Sequence, residues 1–364
     1  MAEIKKSEST EIVHLVPRII FTLICSLIIA PCSAFAFQPQ SSQNYVNNFV
    51  KDTRGNKRAP QASSNVVKAY APSRAKFIQP NKPLLLRKAS SSILAPTVSL
   101  SNRSGQPRVK AKAMFCVDKS ANRVVLAENE CAPLPIASIT KLLTAMVVID
   151  QMDLNSVVET PSDIRHVEKH VIGIRPGDLF TVKDLLHGML IESGNDCAEA
   201  LARAYPKGGR DAFIEAMNQK AQKLGLSHVT IYTPSGLDYK IVLGRKDGRE
   251  LLGKKPNIAT AEDVASLASH AFDYPLIAEI SSTKTYIMKS LNSKPHVYHL
   301  VSNDKLLRTN LPVAGAKTGF TNMAGKCIVA FFKDNQKEHV VVVLNTPHHF
   351  KAAEKIYRWA CKTF

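Results

Sequence analysis

Pro133-Leu-Pro-Ile-Ala-Ser-Ile-Thr-Lys-Leu-Leu-Thr-Ala-Met-Val-Val-Ile149 is the stretch whose reading orders the rest of the chain. Two closely spaced prolines end whatever precedes them, and from Ser138 the run predicts one helix. From Leu142 to Ile149 nearly every position is apolar, on all sides rather than in one stripe. Such a helix belongs in the interior of a domain. Its first turn nonetheless carries Ser138 and Lys141, three residues apart and therefore on one face. An ammonium at the mouth of a buried helix is costly unless the site has a use for it.

Upstream of this helix, Ala113–Asp118 and Arg123–Ala127 predict two short strands joined by a turn at Lys119-Ser-Ala-Asn122. Downstream, Thr181 with Asp184 three residues on forms a capping box for a helix running to Ile191. Further helices are expected over Cys197–Tyr205, Arg210–Leu224 and Ala261–Phe272. Strands are expected over Lys284–Lys289, Val297–Val301, Ala316–Phe320, Cys327–Lys333 and His339–Leu344, the last two a hairpin through Asp334-Asn-Gln-Lys337. Lys351–Lys362 predicts a final helix. The order strand pair, helices, strands, helix gives an α+β domain with an antiparallel sheet. It occupies residues 108–364.

The 364 residues carry a formal net charge of +18, which points to a polyanionic neighbourhood. The N-terminus combines basic residues, an apolar run from Ile19 to Pro31 and an ending Ser33-Ala-Phe-Ala36. Residues 1–36 therefore read as a secretory signal cut after Ala36, an uncleaved anchor being the alternative. Pro31 before Cys32 argues against a lipoprotein signal. The working part lies outside the cytoplasm on either reading. Residues 37–107 read as a disordered basic linker: from Lys51 to Lys110 there are 13 Lys or Arg and one acid, Asp52. It is either a solvated tail or a loose contact with an anionic wall or membrane surface. Nucleic acid is disfavoured, because no stacking aromatics interleave with the charges. Of seven cysteines, two lie in the apolar N-terminal run, and the other five show no zinc-type spacing.

Ser-x-x-Lys occurs four times, at Ser73, Ser138, Ser281 and Ser302, but only the Ser138 copy opens a buried helix. A serine needs a base to become a nucleophile, and a lysine serves if desolvation and a second cation lower its pKa. Glu192-Ser193-Gly194-Asn195-Asp196 places a hydroxyl and an amide on a short loop after an apolar helix. Ala314-Gly-Ala-Lys317-Thr318-Gly319-Phe320 is a strand with glycines on both sides of its Lys-Thr pair. Glycine there lets another backbone come close, so a substrate could add as a further strand. Lys317 would be the second cation that depresses Lys141.

In this order the three elements, with Thr233-Pro-Ser-Gly-Leu-Asp238 and Lys317-Thr-Gly-Phe-Thr-Asn322, make residues 108–364 resemble the low-molecular-mass penicillin-binding proteins. These are D-alanyl-D-alanine carboxypeptidases and endopeptidases. The resemblance implies a DD-peptidase/serine β-lactamase-like fold: a five-stranded antiparallel sheet flanked by helices, with an all-helical subdomain. It implies an acyl-enzyme on Ser138, Lys141 as general base, and Ser193 and Asn195 as proton shuttle and positioning groups. Lys317, Thr318, Gly319 and Phe320 would bind substrate, with the backbone N–H groups of Ser138 and Phe320 as the oxyanion hole. It implies peptidoglycan stem peptides as substrate, β-lactams as covalent inhibitors, no cofactor, and a periplasmic location.

Gly194 stands where β-lactamases usually carry Asp, and no Glu-x-x-x-Asn lies between Asn195 and Lys317. Both departures favour a peptidase over the alternative of a serine β-lactamase. The short stretch after Lys317 resembles the endopeptidase-type members. A catalytically silent peptidoglycan-binding protein is the alternative from another class. For the pairs His166/His170, His296/His299 and His348/His349 no acidic or Cys partner completes a metal-binding set, and they read as surface residues, with no metal site.

Overall fold

The computed structural model describes residues 105–246 and 249–364. The expected signal, and the expected linker as far as residue 104, lie outside the described residues. The chain first forms β1 (Ala113–Asp118), β2 (Arg123–Glu128), β3 (Leu134–Pro135), α1 (Lys141–Gln151), β4 (Val157–Glu159) and β5 (Leu179–Thr181). Then come α2 (Val182–Ile191), α3 (Asn195–Arg203), α4 (Gly209–Lys223), β6 (Tyr239–Lys246), β7 (Arg249–Lys255) and β8 (Ile258–Ala259). It closes with α5 (Ala261–Ala271), α6 (Pro275–Ser282), β9 (Thr285–Lys289), β10 (Val297–Val301), β11 (Val313–Thr321), β12 (Gly325–Lys333), β13 (Glu338–Thr346) and α7 (His349–Thr363).

Five strands make one antiparallel sheet in the order β11-β12-β13-β1-β2. Successive side chains point to opposite faces, and both faces are covered, so the central strands read as unbroken apolar runs. In β1, Ala113, Phe115 and Val117 enter one core, while Met114 and Cys116 enter the other. In β13, Val340, Val342 and Leu344 share the first core, and Val341 and Val343 the second. Over the first face lies α5, then α1, with α2, α3 and α4 packed beyond as the helical subdomain. Truncating Phe115, which has no exposed surface, to Ala would cost about 3–5 kcal/mol. The second face is covered by α7 through Ala352, Ala353, Ile356, Tyr357 and Ala360, which recur at helical spacing. There Tyr357 stacks on Phe332 with ring centroids 4.0 Å apart.

Four features depart from the sequence reading. The Ser138 helix opens as a 3₁₀ turn over Ala137–Thr140, and α1 proper starts only at Lys141. Crowding explains it: the segment enters with Ala137 at φ 47°, and the backbones of Gly236 and Gly319 press against it. The β6–β7 hairpin and α6 were also not anticipated. Val242, Leu243, Leu251 and Leu252 of the hairpin are exposed, so no buried face imposes a period of two on its sequence. β9 and β10 pair with each other in a separate two-stranded sheet rather than joining the main one. No disulfide joins Cys116, Cys131, Cys197, Cys327 and Cys361 to one another. Among the described residues no helix is long and apolar enough to cross a membrane.

Candidate active site

Four segments converge on the start of α1. Gly319 of β11 runs so close that an added Cβ would lie 2.8 Å from Ile136 O and 3.0 Å from Ser138 N. Gly236, at φ +83°, closes the other side, where an added Cβ would sit 2.0 Å from Ala137 O. The Gly-rich strand and the Pro-Ser-Gly turn are thus required by contact with the Ser138 backbone. The third segment is Ser193-Gly-Asn195 at the start of α3, where Ser193 takes φ 66°. The fourth is the β4–β5 loop. The buried Asp196 carboxylate pins it by accepting from the N–H groups of Ile172 (3.1 Å), Gly173 (2.8 Å) and Ile174 (3.2 Å).

Lys141 is fully buried at the centre of this junction. Its Nζ lies 2.9 Å from Ser138 Oγ, and it donates to Asn195 Oδ1 and to the Ser235 carbonyl, both at 2.6 Å. The Asn195 oxygen and the Ser235 carbonyl can only accept, so they take two N–H groups and leave the third position of the amine facing the serine hydroxyl. A neutral amine there presents its lone pair to the Ser138 proton. Burial drives the Lys141 pKa well below the usual lysine range, and the Lys317 charge drives it the same way. The Asn195 amide is fixed in turn, since Nδ2 donates to the carbonyls of Glu168 (3.2 Å) and Lys169 (2.6 Å).

Lys317 is also buried, and its Nζ donates to Ser193 Oγ at 2.9 Å and to Thr318 O at 3.0 Å. Burial lowers its pKa to about 7, and the nearby Asp304 carboxylate works against that fall. Thr318 is half-buried at the rim with Oγ1 3.4 Å from Asn303 Oδ1, and Phe320 is exposed beside it. β11 is an edge strand, so one of its sides has no neighbour in the sheet.

The structure therefore brings Ser138, Lys141, Ser193, Asn195 and Lys317 together, with Thr318, Gly319 and Phe320 along one wall. The Lys141 side chain is enclosed, not reaching out to solvent. Sequence reasoning missed Ser235, whose backbone oxygen holds Lys141, and Asn257. Fully buried, Asn257 accepts from Tyr232 N and Thr233 N and donates to Thr140 Oγ1 and Thr233 O. It ties the Ser235 turn to the start of α1 from far along the chain, and no local pattern announces it. Asp304 was likewise missed. Its burial raises the carboxyl to about 6.

Of the paired histidines, His166, His170, His299 and His348 are exposed, whereas His349 is half-buried and so is His296, whose Nδ1 lies 2.6 Å from Asp178 Oδ1. Among the described residues no group of three or more His, Cys, Asp or Glu is placed to hold a metal ion.

The sequence profile of the D-alanyl-D-alanine carboxypeptidase family matches residues 101–348. The chain is 31% identical to a D-alanyl-D-alanine endopeptidase of Escherichia coli over 261 residues, 70% of this chain and 79% of the relative. Among solved structures, a D-alanyl-D-alanine carboxypeptidase from Mycobacterium tuberculosis is similar with a TM-score of 0.62 and 27% identity, over 72% of this chain and 96% of that one. Penicillin-binding protein D2 of Listeria monocytogenes, solved with ampicillin bound, is similar with a TM-score of 0.57 and 26% identity, over 70% of this chain and all of that one.

Proposed function

The chain belongs to the D-alanyl-D-alanine carboxypeptidase family, and from that premise we propose that Ser138 is the nucleophile of a serine D,D-peptidase acting on peptidoglycan stem peptides. The observation that carries the reading is the buried Lys141 amine, held by Asn195 Oδ1 and Ser235 O with its remaining position 2.9 Å from Ser138 Oγ. The substrate's C-terminal segment adds to the free edge of β11, its terminal carboxylate against Lys317 and Thr318. Lys141 takes the Ser138 proton, and Oγ bonds to the carbonyl carbon of the penultimate D-Ala. The N–H groups of Ser138 and Phe320 receive the oxyanion. On collapse the C–N bond breaks, the proton passes to the leaving amine through Lys141 and Ser193, and an ester on Ser138 remains. Water, deprotonated by Lys141, hydrolyses that ester and restores the hydroxyl.

The likeness to an endopeptidase favours cutting of D-Ala–diaminopimelate crosslinks over trimming of free D-Ala-D-Ala ends. Digestion of purified peptidoglycan separates the two: conversion of crosslinked dimers to monomers is expected. Loss of terminal D-Ala from monomers alone would assign a carboxypeptidase, and no product would sink the peptidase reading. We further place the working domain in the periplasm, exported by residues 1–36, with the basic stretch over 37–107 touching the anionic wall. N-terminal sequencing of the mature protein should begin at Phe37. Retention of Met1 or its neighbours would contradict export by cleavage.

A further inference from the structure

A cavity of about 330 Å³ opens against Phe320 and Thr321, at the end of β11. Its position along β11 is informative. A strand added antiparallel to β11 with its C-terminal carboxylate at Lys317 and Thr318 must run toward Phe320 and Thr321 as it goes back along the peptide. At about 3.3 Å per residue, the one or two residues before the scissile bond lie at the cavity mouth.

The charges lining the cavity are uneven. Arg203 pairs with Asp163, and Arg210 with Glu199 at 2.7 Å, so these four cancel. Asp238 Oδ1 accepts from the Thr321 hydroxyl at 3.2 Å. What remains is two carboxylates, Glu168 and Asp238, against three ammoniums, Lys169, Lys240 and Lys254. Glu168 pairs with Lys240 at 2.6 Å, and that contact holds its carboxyl below the usual range, with Lys254 and Lys169 adding their field. Three ammoniums thus stand against two carboxylates, of which only Glu168 is ion-paired, and no ion-pair partner lies against Lys169 or Lys254 among the described residues. Lys240 and Lys254 face each other as register partners in the β6–β7 hairpin, which among the described residues has no strand neighbour beyond its own two strands. The wall of Val167, Leu237 and Tyr239 supplies an apolar surface for an aliphatic stem.

Resting on the peptidase reading above, we infer that this cavity is a specificity subsite for a carboxylate carried on the acyl-donor peptide, held by Lys169, Lys254 and, by sharing with Glu168, Lys240. The β6–β7 hairpin contributes two of the three cations. It therefore selects the substrate without touching the reacting bond.

Two synthetic peptides ending in D-Ala-D-Ala test this, differing only in whether the side chain just before the scissile segment ends in a carboxylate or its amide. Two exposed charge contacts should give the wild type about a threefold to tenfold higher kcat/KM for the acid, shrinking with added salt. In the Lys169→Gln/Lys254→Gln double variant the ratio should fall to about one. An unchanged ratio in that variant, or a wild-type preference for the amide, overturns the subsite. If turnover of both peptides is too slow to compare, the same ratio is read as the concentration of each that halves Ser138 acylation by labelled penicillin. That acylation also reports the folding of the variant. Absence of any penicillin adduct on wild-type Ser138 would instead remove the peptidase reading on which the subsite stands.

Discussion

Lys317 keeps its amine in a site that is 1% exposed, where burial lowers its pKa to about 7 from an ordinary 10.5. The unfolded chain therefore binds more protons than the folded one between those values, and stability from this group rises with pH across that window. Its penalty is full below pH 7 and gone above 10.5. Lys317→Met should accordingly stabilise the protein by about 1–3 kcal/mol at pH 6, in denaturant unfolding, with the gain fading toward pH 10. A gain independent of pH would show that the buried charge is not its source. The same variant removes a positive neighbour of Lys141, whose pKa must then rise. The acid limb of the pH–rate profile for acylation by penicillin should move to higher pH, while peptide turnover falls at least about a hundredfold with the lost carboxylate contact. Stopped-flow acylation between pH 5 and 9 reads the shift. The residues Ser138, Lys141, Ser193, Asn195 and Lys317 were legible because each is a side chain with its own chemistry in a recognisable spacing. Ser235 was not, since it acts through a carbonyl that every residue carries.

Among the elements, the Thr233–Asp238 turn does more to position the site than its sequence announces. Gly236 faces the Ala137 carbonyl at a positive φ, whereas Gly225 has a positive φ and open space around it. Gly236→Ala should therefore cost about 3 kcal/mol or more and slow Ser138 acylation sharply, against about 1 kcal/mol with normal acylation for Gly225→Ala. Equal costs at the two positions would mean that dihedral strain, not the contact, governs Gly236. Asn257→Ala removes four buried hydrogen bonds and should cost about 2–4 kcal/mol, lowering acylation by labelled penicillin as the Ser235 carbonyl moves. The 3₁₀ opening of the helix could not be read in advance. Ser138-Ile-Thr-Lys141 permits an α-helical turn, and only the approach of Gly236 and Gly319 tightens it.

Across the whole molecule, the sheet was readable and the hairpin was not, for one physical reason. β1, β12 and β13 carry apolar side chains because two covering layers demand them, but β6 and β7 have no core to face. The domain also has a built-in acid sensitivity. Burial lowers His339, whose two ring nitrogens lack partners among the described residues, and likewise His187 and His349, the last to about 4. A lowered histidine stabilises the fold above its ordinary 6.5, and that stability is lost as pH falls through this value. Asp304, raised to about 6, and Glu262, also raised by burial, act oppositely over their own windows. Unfolding free energy should fall between pH 6.5 and 4, and His339→Phe should flatten the curve; a curve unchanged by that substitution would clear His339 of the effect. The proposed chemistry turns on one bond, the ester between Ser138 Oγ and an acyl donor. Labelled penicillin followed by peptide mass spectrometry should place a stable adduct on Ser138 of the folded wild type and none on Ser138→Ala. An adduct that survives Ser138→Ala, or a folded wild type that takes no label, would contradict it.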